Sequence, residues 1–173
     1  MNQPVQSPYH QKIFEHLQFQ GSSNDCAPYT TATILNTFCN QQLKGDELAK
    51  QMNKPRLRGL LPVIRRIPNW ATFPWGVVDV MKDYQLKARW QFRTPIEYLR
   101  PALANGHILM PIIGEWRPKP WMHIMTLVEW DPQRGWGFAN TQYQTQKTYW
   151  VSDSDFQVKW KNSGRLLVEI ESI

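Results

Sequence analysis

Three side chains that lie far apart in the chain are suited to nucleophilic chemistry: Cys26, His123 and Asn140. A thiolate is a strong nucleophile, but it needs a base to take its proton and a third group to orient that base. An imidazole can act as the base, and an amide oxygen can accept the other imidazole N–H and fix the tautomer. The three residues are therefore candidates for the nucleophile, the general base and the orienting group of one site.

Cys26 is predicted to begin a helix. The segment CAPYTTATILNTF (26–38) has the composition of a buried helix, and Asn24 or Asp25 in the preceding loop is a candidate N-cap. Unpaired N–H groups and the macrodipole at a helix N-terminus favour a thiolate, so a lowered Cys26 pKa is expected. Cys39 would lie ~20 Å away along this helix, beyond disulfide reach, so both cysteines are expected to be free thiols.

His123 and Asn140 fall on two successive predicted strands. If Val128 pairs with Gly135, His123 lies directly opposite Asn140, and the two Cβ atoms are ~5 Å apart. A tighter turn would instead separate the two residues by about 13 Å along the strand. The chemistry therefore requires either a wide loop or a β-bulge between them.

The other histidines are weaker candidates for the base. His107 lies on a neighbouring predicted strand but has no Asn or Asp at a suitable distance downstream, and His10 and His16 are interpreted as surface residues. Taken alone, a cysteine at a helix start is usually a small buried hydrophobe. No His/Cys pair has ligand spacing such as CxxC, so neither a metal site nor a cofactor is predicted.

The order of predicted elements indicates an α+β fold in which N-terminal helices pack on a mainly antiparallel sheet. One domain is expected over 1–173, with 1–19 as an N-terminal extension. Further helices are predicted at 46–52 and 76–84 and from Thr94, the expected cap, to Asn105, while 54–75 is expected to be irregular. The predicted strands are 88–92, 107–114, 123–130, 136–142 and 165–173.

Composition narrows the function classes. The chain has 173 residues with 20 Lys and Arg against 14 Asp and Glu, a net charge of +6 that favours acidic partners such as nucleic acid, anionic lipid or cell-wall polymer. No nucleic-acid-binding motif accompanies this charge, which argues against nucleic acid as the partner. No apolar run is long enough to span a membrane and no signal peptide is recognised, so no membrane partner is expected.

The segment QGSSNDCAP (20–28) resembles the active-site motif of papain-like cysteine peptidases. The resemblance is strongest to the family that removes double-glycine leader peptides from bacteriocins and to its stand-alone relatives. By this resemblance, Gln20 is the oxyanion-hole glutamine, Cys26 is the nucleophile and Asp25 is the acidic residue before it. His123 takes the histidine position, and Asn140 the third position, where this family usually has Asp and papain has Asn.

The resemblance implies a bacterial cysteine peptidase or amidase with a papain-like fold, which hydrolyses a peptide or isopeptide bond through a Cys-His-Asn triad and a thioester acyl-enzyme. A protein or peptide substrate is expected. The location would be the cytoplasm, or a secreted effector would be delivered without a classical signal peptide. The substrate's identity and the oligomeric state are left open.

Two alternatives stay open at this point. A transferase or a deamidase would use the same thioester chemistry. A catalytically inactive papain-like binding module is the other alternative, because the chain departs from the family pattern at three places. Ala27 and Met122 stand where the family usually has Gly, and Thr141-Gln142 follow Asn140 in place of the family's usual Asp-Pro-style ending.

Overall fold

The computed structural model describes residues 3–171, which contain six helices and twelve strands. The helices are α1 (His10–Glu15), α2 (Cys26–Phe38), α3 (Gly45–Met52), α4 (Pro74–Asp83), α5 (Ile96–Ala104) and α6 (Asp153–Asn162). The strands are β1 (Val5–Gln6), β2 (Arg56–Arg58), β3 (Leu61–Val63), β4 (Arg66–Ile67), β5 (Ala71–Thr72), β6 (Ala88–Gln91), β7 (Ile108–Glu115), β8 (Trp121–Ile124), β9 (Thr126–Asp131), β10 (Gly135–Ala139), β11 (Tyr149–Val151) and β12 (Leu167–Ile170).

A single large antiparallel sheet forms the centre of the fold. Its main path runs β11-β10-β9-β7-β12-β6, while β8 also pairs with β7 and β1 pairs with β9. Two small hairpins, β2–β3 and β4–β5, stand apart from this sheet. The α+β prediction with a mainly antiparallel sheet is therefore confirmed.

Helices cover both faces of the sheet. Along β7, Ile108 and Met110 belong to a core formed with α1 to α4, whereas Leu109 and Ile113 belong to a second core formed with α5 and α6. Successive side chains of a strand point to opposite faces, so β7 must be apolar on both sides. This explains why β7 is a nearly continuous apolar run.

The N-terminal residues are packed against the sheet. Val5 of β1 pairs with Trp130 of β9. In α1, Ile13 is fully buried and Phe14 is almost fully buried. The segment predicted as an extension therefore contributes a strand and apolar side chains to the described structure.

The predicted start of α5 is one residue too early. Pro95, not Thr94, is the N-cap, and the Thr94 side chain makes no cap hydrogen bond. Pro95 keeps an extended backbone with φ −65° and ψ 143°, which delays the helix until Ile96. Thr94 is instead buried.

Other parts of the structure were also not predicted, among them the strand β11. The segment 54–75, expected to be irregular, contains the hairpins β2–β3 and β4–β5. Helix α6 was also missed, because only Phe156 and Trp160 among its residues are buried and its polar sequence gives a weak periodic signal. Ser152 caps α6 by accepting a hydrogen bond from the Asp155 N–H at 3.2 Å.

Across residues 3–171, no helix combines the length and the apolar character that a membrane crossing requires. The longest helix, α2, has 13 residues.

Two residues of α6, one buried and one exposed, can test the assignment of the core that α6 forms with α5. Trp160 is 1% exposed and donates its indole N–H to the Leu166 carbonyl at 2.9 Å, whereas Val158 on the same helix is 61% exposed. Trp160→Ala should lower the free energy of unfolding by about 3–5 kcal/mol, because it removes a large buried side chain. Val158→Ala should change it by less than about 0.5 kcal/mol. Denaturant unfolding followed by circular dichroism measures both, and similar losses in the two variants would contradict this assignment of the core.

Candidate active site

Cys26 is the first residue of α2, as predicted, and this end of the helix packs on β8. The backbone of Ile124, the residue that follows His123, lies close enough to the Cys26 sulfur to lower the pKa of the thiol. One turn later, the Thr30 hydroxyl donates to the Ile124 carbonyl at 3.4 Å. Residues four apart lie on the same helix face, so both contacts seat α2 on β8 with its N-terminus beside the histidine strand.

The thiol does not have the lowered pKa expected from its position on the helix. Burial raises the pKa of the Cys26 thiol, while hydrogen bonds with the backbone of Ile124 and Ala27 act in the opposite direction. Desolvation disfavours the charged form more strongly here than the helix N-terminus favours it. The lowered pKa expected from the sequence is therefore wrong in direction.

An ion pair that includes a buried arginine lies next to Cys26. Asp25 occupies the N-cap position of α2, but its carboxylate makes no cap hydrogen bond. Instead it accepts a hydrogen bond from the guanidinium of Arg66, a residue that is 3% exposed on β4. The Asn24 side chain also donates to the Asn69 carbonyl at 3.0 Å. The hairpin β4–β5 is thus fastened to the loop that carries Cys26, and this pairing explains why Asp25 does not cap the helix.

The charges of this ion pair have opposite effects on Cys26. The Asp25 carboxylate raises the pKa of the Cys26 thiol, and the Arg66 guanidinium lowers that pKa. Among the described residues, Nε and Nη1 of Arg66 have no hydrogen-bond partner, so Asp25 is the group that balances its charge. Sequence reasoning missed Arg66, whose only signal was its place in a basic cluster.

His123 and Asn140 are brought together by a buried hydrogen bond. Nε2 of His123 lies 2.8 Å from Oδ1 of Asn140, and the two residues are 9% and 4% exposed. The same Oδ1 accepts the backbone N–H of Gln142 at 2.9 Å. Because a backbone N–H can only donate, this second contact identifies the amide atom as oxygen. His123 must then carry its proton on Nε2, which leaves the lone pair on Nδ1.

The strand register that produces this contact is not the one that would set His123 directly opposite Asn140. Gly135 pairs with Asp131, not with Val128, so a three-residue turn joins β9 and β10. Asn140 is also not within the strand, because β10 ends at Ala139.

A β-bulge compensates for the tight turn. The register shifts by one residue between Gly137 and Phe138, so that Ala139 pairs with Thr126. If this register is continued by one residue, Asn140 lies opposite Met125. Met125 is two residues after His123, so Asn140 and His123 lie on the same face. Without the bulge, Asn140 would fall across from Thr126 and on the opposite face. The requirement for a wide loop or a bulge, stated from the sequence, is met by the bulge.

Gln20 is fastened to the residue after Asn140. The Gln20 Oε1 accepts from the Thr141 hydroxyl at 2.6 Å, and the Gln20 backbone N–H donates to the Thr141 carbonyl at 2.8 Å. The Gln20 Nε2 donates to the Ser23 carbonyl at 2.8 Å, which fixes the orientation of the amide. An amide nitrogen carries two N–H groups, so one is left to donate to a bound molecule. Sequence reasoning missed Thr141, whose only signal is its adjacency to Asn140.

The rival histidines belong to other clusters. Nδ1 of His107 lies 2.7 Å from the fully buried carboxylate of Glu169. His10, expected at the surface, is partly buried and lies 3.2 Å from the Thr148 hydroxyl through Nε2. Neither residue contacts His123, Asn140 or Gln20 in the hydrogen bonds of residues 3–171.

Of the four predicted site residues, His123 and Asn140 are in direct contact. Gln20 is bound to Thr141, the residue after Asn140. The Cys26 sulfur lies beside the backbone of Ile124, and among residues 3–171 no hydrogen bond joins it to the His123 ring. This arrangement can supply a nucleophile, a neutral imidazole with a free lone pair and an amide N–H donor in one place.

The charge pair beside Cys26 gives a test of the site electrostatics. Arg66→Gln should raise the pKa of the Cys26 thiol, because Asp25 loses its compensating charge, and should slow alkylation by iodoacetamide at pH 7 roughly three- to tenfold. The double variant Asp25→Asn, Arg66→Gln should return the rate to near that of the unmodified protein. Cys39 serves as an internal control in each sample. Equal alkylation of Cys26 in all three proteins would contradict the assignment.

Comparison with known proteins supports the fold. No family model matches the chain, and no curated protein matches it. Among solved structures, the chain is similar to that of a protein from Bacillus anthracis provisionally described as a C39-like peptidase. The two share 12% sequence identity with a TM-score of 0.69, and the match covers 99% of this chain and 98% of the other. The chain therefore has the fold of a C39-like, papain-like cysteine peptidase.

Proposed function

We propose that the protein is a cysteine peptidase or amidase that hydrolyses a peptide or isopeptide bond. Cys26 is the nucleophile, His123 the general base, Asn140 the orienting group and Gln20 an oxyanion donor. The observation that carries this proposal is the hydrogen bond from His123 Nε2 to Asn140. This hydrogen bond leaves the lone pair on Nδ1 of His123. The backbone of Ile124, the residue after His123, lies beside the Cys26 sulfur. The fold shared with the C39-like peptidase supports the same class of activity.

The first half of the reaction forms a thioester. The Cys26 sulfur attacks the carbonyl carbon while its proton passes to Nδ1 of His123. The carbonyl oxygen becomes an oxyanion, which accepts hydrogen bonds from the Cys26 backbone N–H and the free Nε2–H of Gln20. A donor of this kind contributes ~3–4 kcal/mol to transition-state stabilisation. The C–N bond then breaks as the imidazolium gives its proton to the leaving amine.

The second half releases the acyl group. A water molecule attacks the thioester carbonyl while His123 takes its proton, and the same donors stabilise the second oxyanion. The C–S bond breaks, the carboxylic acid leaves, and the proton returns from His123 to the Cys26 sulfur. Asn140 keeps Nε2 protonated in both halves, so that Nδ1 is the atom that exchanges protons.

Both pKa shifts favour a neutral pair before the substrate binds. Burial raises the pKa of the Cys26 thiol, and burial lowers the pKa of the His123 imidazolium. Proton transfer therefore accompanies attack on the carbonyl and does not precede substrate binding. The base must be neutral to act, and a lowered pKa keeps His123 neutral at pH 7.

A proteome-derived peptide library in ¹⁸O-labelled water tests the proposal. The unmodified protein and Cys39→Ala should generate new C-termini that carry one heavy oxygen, read by mass spectrometry. Cys26→Ala and His123→Ala should reduce this labelling by more than a hundredfold, because each removes a reacting group. Addition of hydroxylamine should trap the thioester as a hydroxamate.

Other outcomes would reject hydrolysis in distinguishable ways. Amine adducts without heavy oxygen indicate a transferase, and conversion of glutamine to glutamate without chain cleavage indicates a deamidase. The alternative of an inactive binding module is tested by a measurement that needs no substrate. Iodoacetamide should alkylate Cys26 faster in the unmodified protein than in His123→Ala, and equal rates would show that His123 does not act on the thiol.

The Asn140 contact predicts a change in the pH dependence of activity. The acid limb of the rate profile reports protonation of His123 and should lie below about pH 6.5, because burial lowers this pKa. The hydrogen bond to Asn140 raises the pKa of His123. Asn140→Ala should therefore move the acid limb to still lower pH, and should lower kcat roughly ten- to a hundredfold because the tautomer is no longer held.

Gln142→Ala is the matched control for this change. Gln142 contacts Oδ1 of Asn140 only through its backbone N–H in the hydrogen bond found, so its side chain can be shortened without loss of that bond. Its pH profile should match that of the unmodified protein. An acid limb that moves to higher pH in Asn140→Ala would overturn the role given to this contact.

A further inference from the structure

The positive charge of the chain is concentrated in residues 54–93, called here the basic segment. It contains nine Lys and Arg against two Asp, a net charge of +7, whereas the whole chain has 20 against 14. The rest of the chain therefore carries a net charge of −1. One continuous stretch of forty residues accounts for the basic character of the protein.

Exposed aliphatic side chains lie in the same segment. Leu60 at the turn of the hairpin β2–β3 is 98% exposed, and Leu57 and Leu61 beside it are 71% and 73% exposed. Ile64, just after β3, is 56% exposed. The Gly59 backbone, with φ +61°, permits the tight two-residue turn that projects Leu60. A hairpin with an apolar tip is thus presented to solvent.

Four aromatic rings continue this surface, three of them exposed and one, Phe73, half-buried. Phe73 stacks on Trp75 with ring centroids 4.4 Å apart, Trp75 lies 6.1 Å from Trp90, and Trp90 lies 5.4 Å from Phe92. We call these four residues the aromatic row. The Trp75 indole donates to the Ile64 carbonyl at 2.9 Å, which joins the row to the end of the hairpin.

Part of the positive charge remains directed to solvent. Arg56 pairs with Asp79 and Asp83, and this contact holds the hairpin β2–β3 against α4. Exposed side chains in the basic segment also include four cations, Lys54, Lys82, Lys87 and Arg93. In all, eight of the fourteen large exposed apolar side chains of residues 3–171 lie in this segment. Exposed apolar and cationic side chains therefore alternate along one segment of the chain.

This combination matches the surface of an anionic lipid bilayer. Leucines can enter the boundary between headgroups and acyl chains, Trp rings favour the interface, and Lys and Arg attract anionic headgroups. Nucleic acid would use the rings for stacking but has no use for the aliphatic tip at Leu60. An acidic protein would pair with the cations, but it would not account for the exposed leucines and Trp rings beside them.

We infer that the basic segment is a docking surface for anionic lipid bilayers, with the tip of the hairpin β2–β3 and the aromatic row in contact with the lipid. The absence of a membrane-spanning run led to no membrane partner being expected from the sequence, but a peripheral contact needs no such run. Arg66 and Asn69 of this segment contact Asp25 and Asn24. Docking would therefore hold the Cys26 loop at a fixed height near the bilayer.

Co-sedimentation with vesicles tests this inference. Vesicles of equimolar phosphatidylglycerol and phosphatidylcholine should pellet the protein at low salt, and vesicles of phosphatidylcholine alone should not. The bound fraction should fall as NaCl is added, because the charge contribution is screened. Cys26→Ala should bind equally well, so the outcome does not depend on the proposed catalysis.

Matched pairs of variants locate the contact. Leu60→Asp should reduce the vesicle partition coefficient about tenfold, whereas Val158→Asp on α6 should leave it within about twofold. The pair of substitutions Lys54→Glu and Lys87→Glu should also reduce it at least about tenfold, and the charge-matched pair Lys119→Glu and Lys147→Glu should have a smaller effect. Circular dichroism confirms that each variant is folded.

Three results would overturn the inference. The first is no binding to anionic vesicles, and the second is equal binding to neutral ones. The third is binding that responds equally to the test and control variants. If single-stranded DNA binds more tightly than the vesicles and Leu60→Asp does not weaken DNA binding, the surface is a general polyanion site and the lipid assignment fails.

Discussion

One oxygen atom, Oδ1 of Asn140, sets the protonation geometry of the whole site. It accepts one hydrogen bond from the backbone of Gln142 and one from the ring of His123. The backbone contact decides which amide atom faces the ring, and the ring must then hold its proton on Nε2. Burial strengthens both contacts, since little water competes for them. Gln20 is attached through Thr141, so residues 140–142 hold His123 and Gln20 in place together.

Chain order and residue type were enough to select Cys26, His123 and Asn140, and the periodic patterns were enough to predict an α+β fold. The strand register was not predictable, because it depends on a bulge beside Gly137. A Cβ at Gly137 would lie 2.6 Å from side-chain atoms of both Glu129 and Thr148. Those two residues come together only in the folded sheet, so a local reading of the sequence cannot detect the crowding that accompanies the bulge.

The direction of the pKa shift of Cys26 was predicted with the wrong sign for a related reason. A helix start favours a thiolate, and this local effect was visible in the sequence. Burial against β8 opposes it more strongly, and burial is a property of the tertiary structure. Asp25 contacts Arg66, which lies 41 positions later in the chain. Because its carboxylate makes this contact, Asp25 does not cap α2 as expected. Local propensity therefore placed Cys26 correctly but could not supply its pKa.

The pairing of β1 with β9 has a consequence for how the chain can be shortened. Val5 and Gln6 occupy the edge of β9 at Trp130 and Glu129, while Ile13 fills the first core. A version that began at residue 20 would keep every proposed catalytic group. It would also leave the backbone of β9 uncovered there, and an uncovered strand edge invites pairing with a second molecule. Residues that take no part in the chemistry thus protect the protein from self-association.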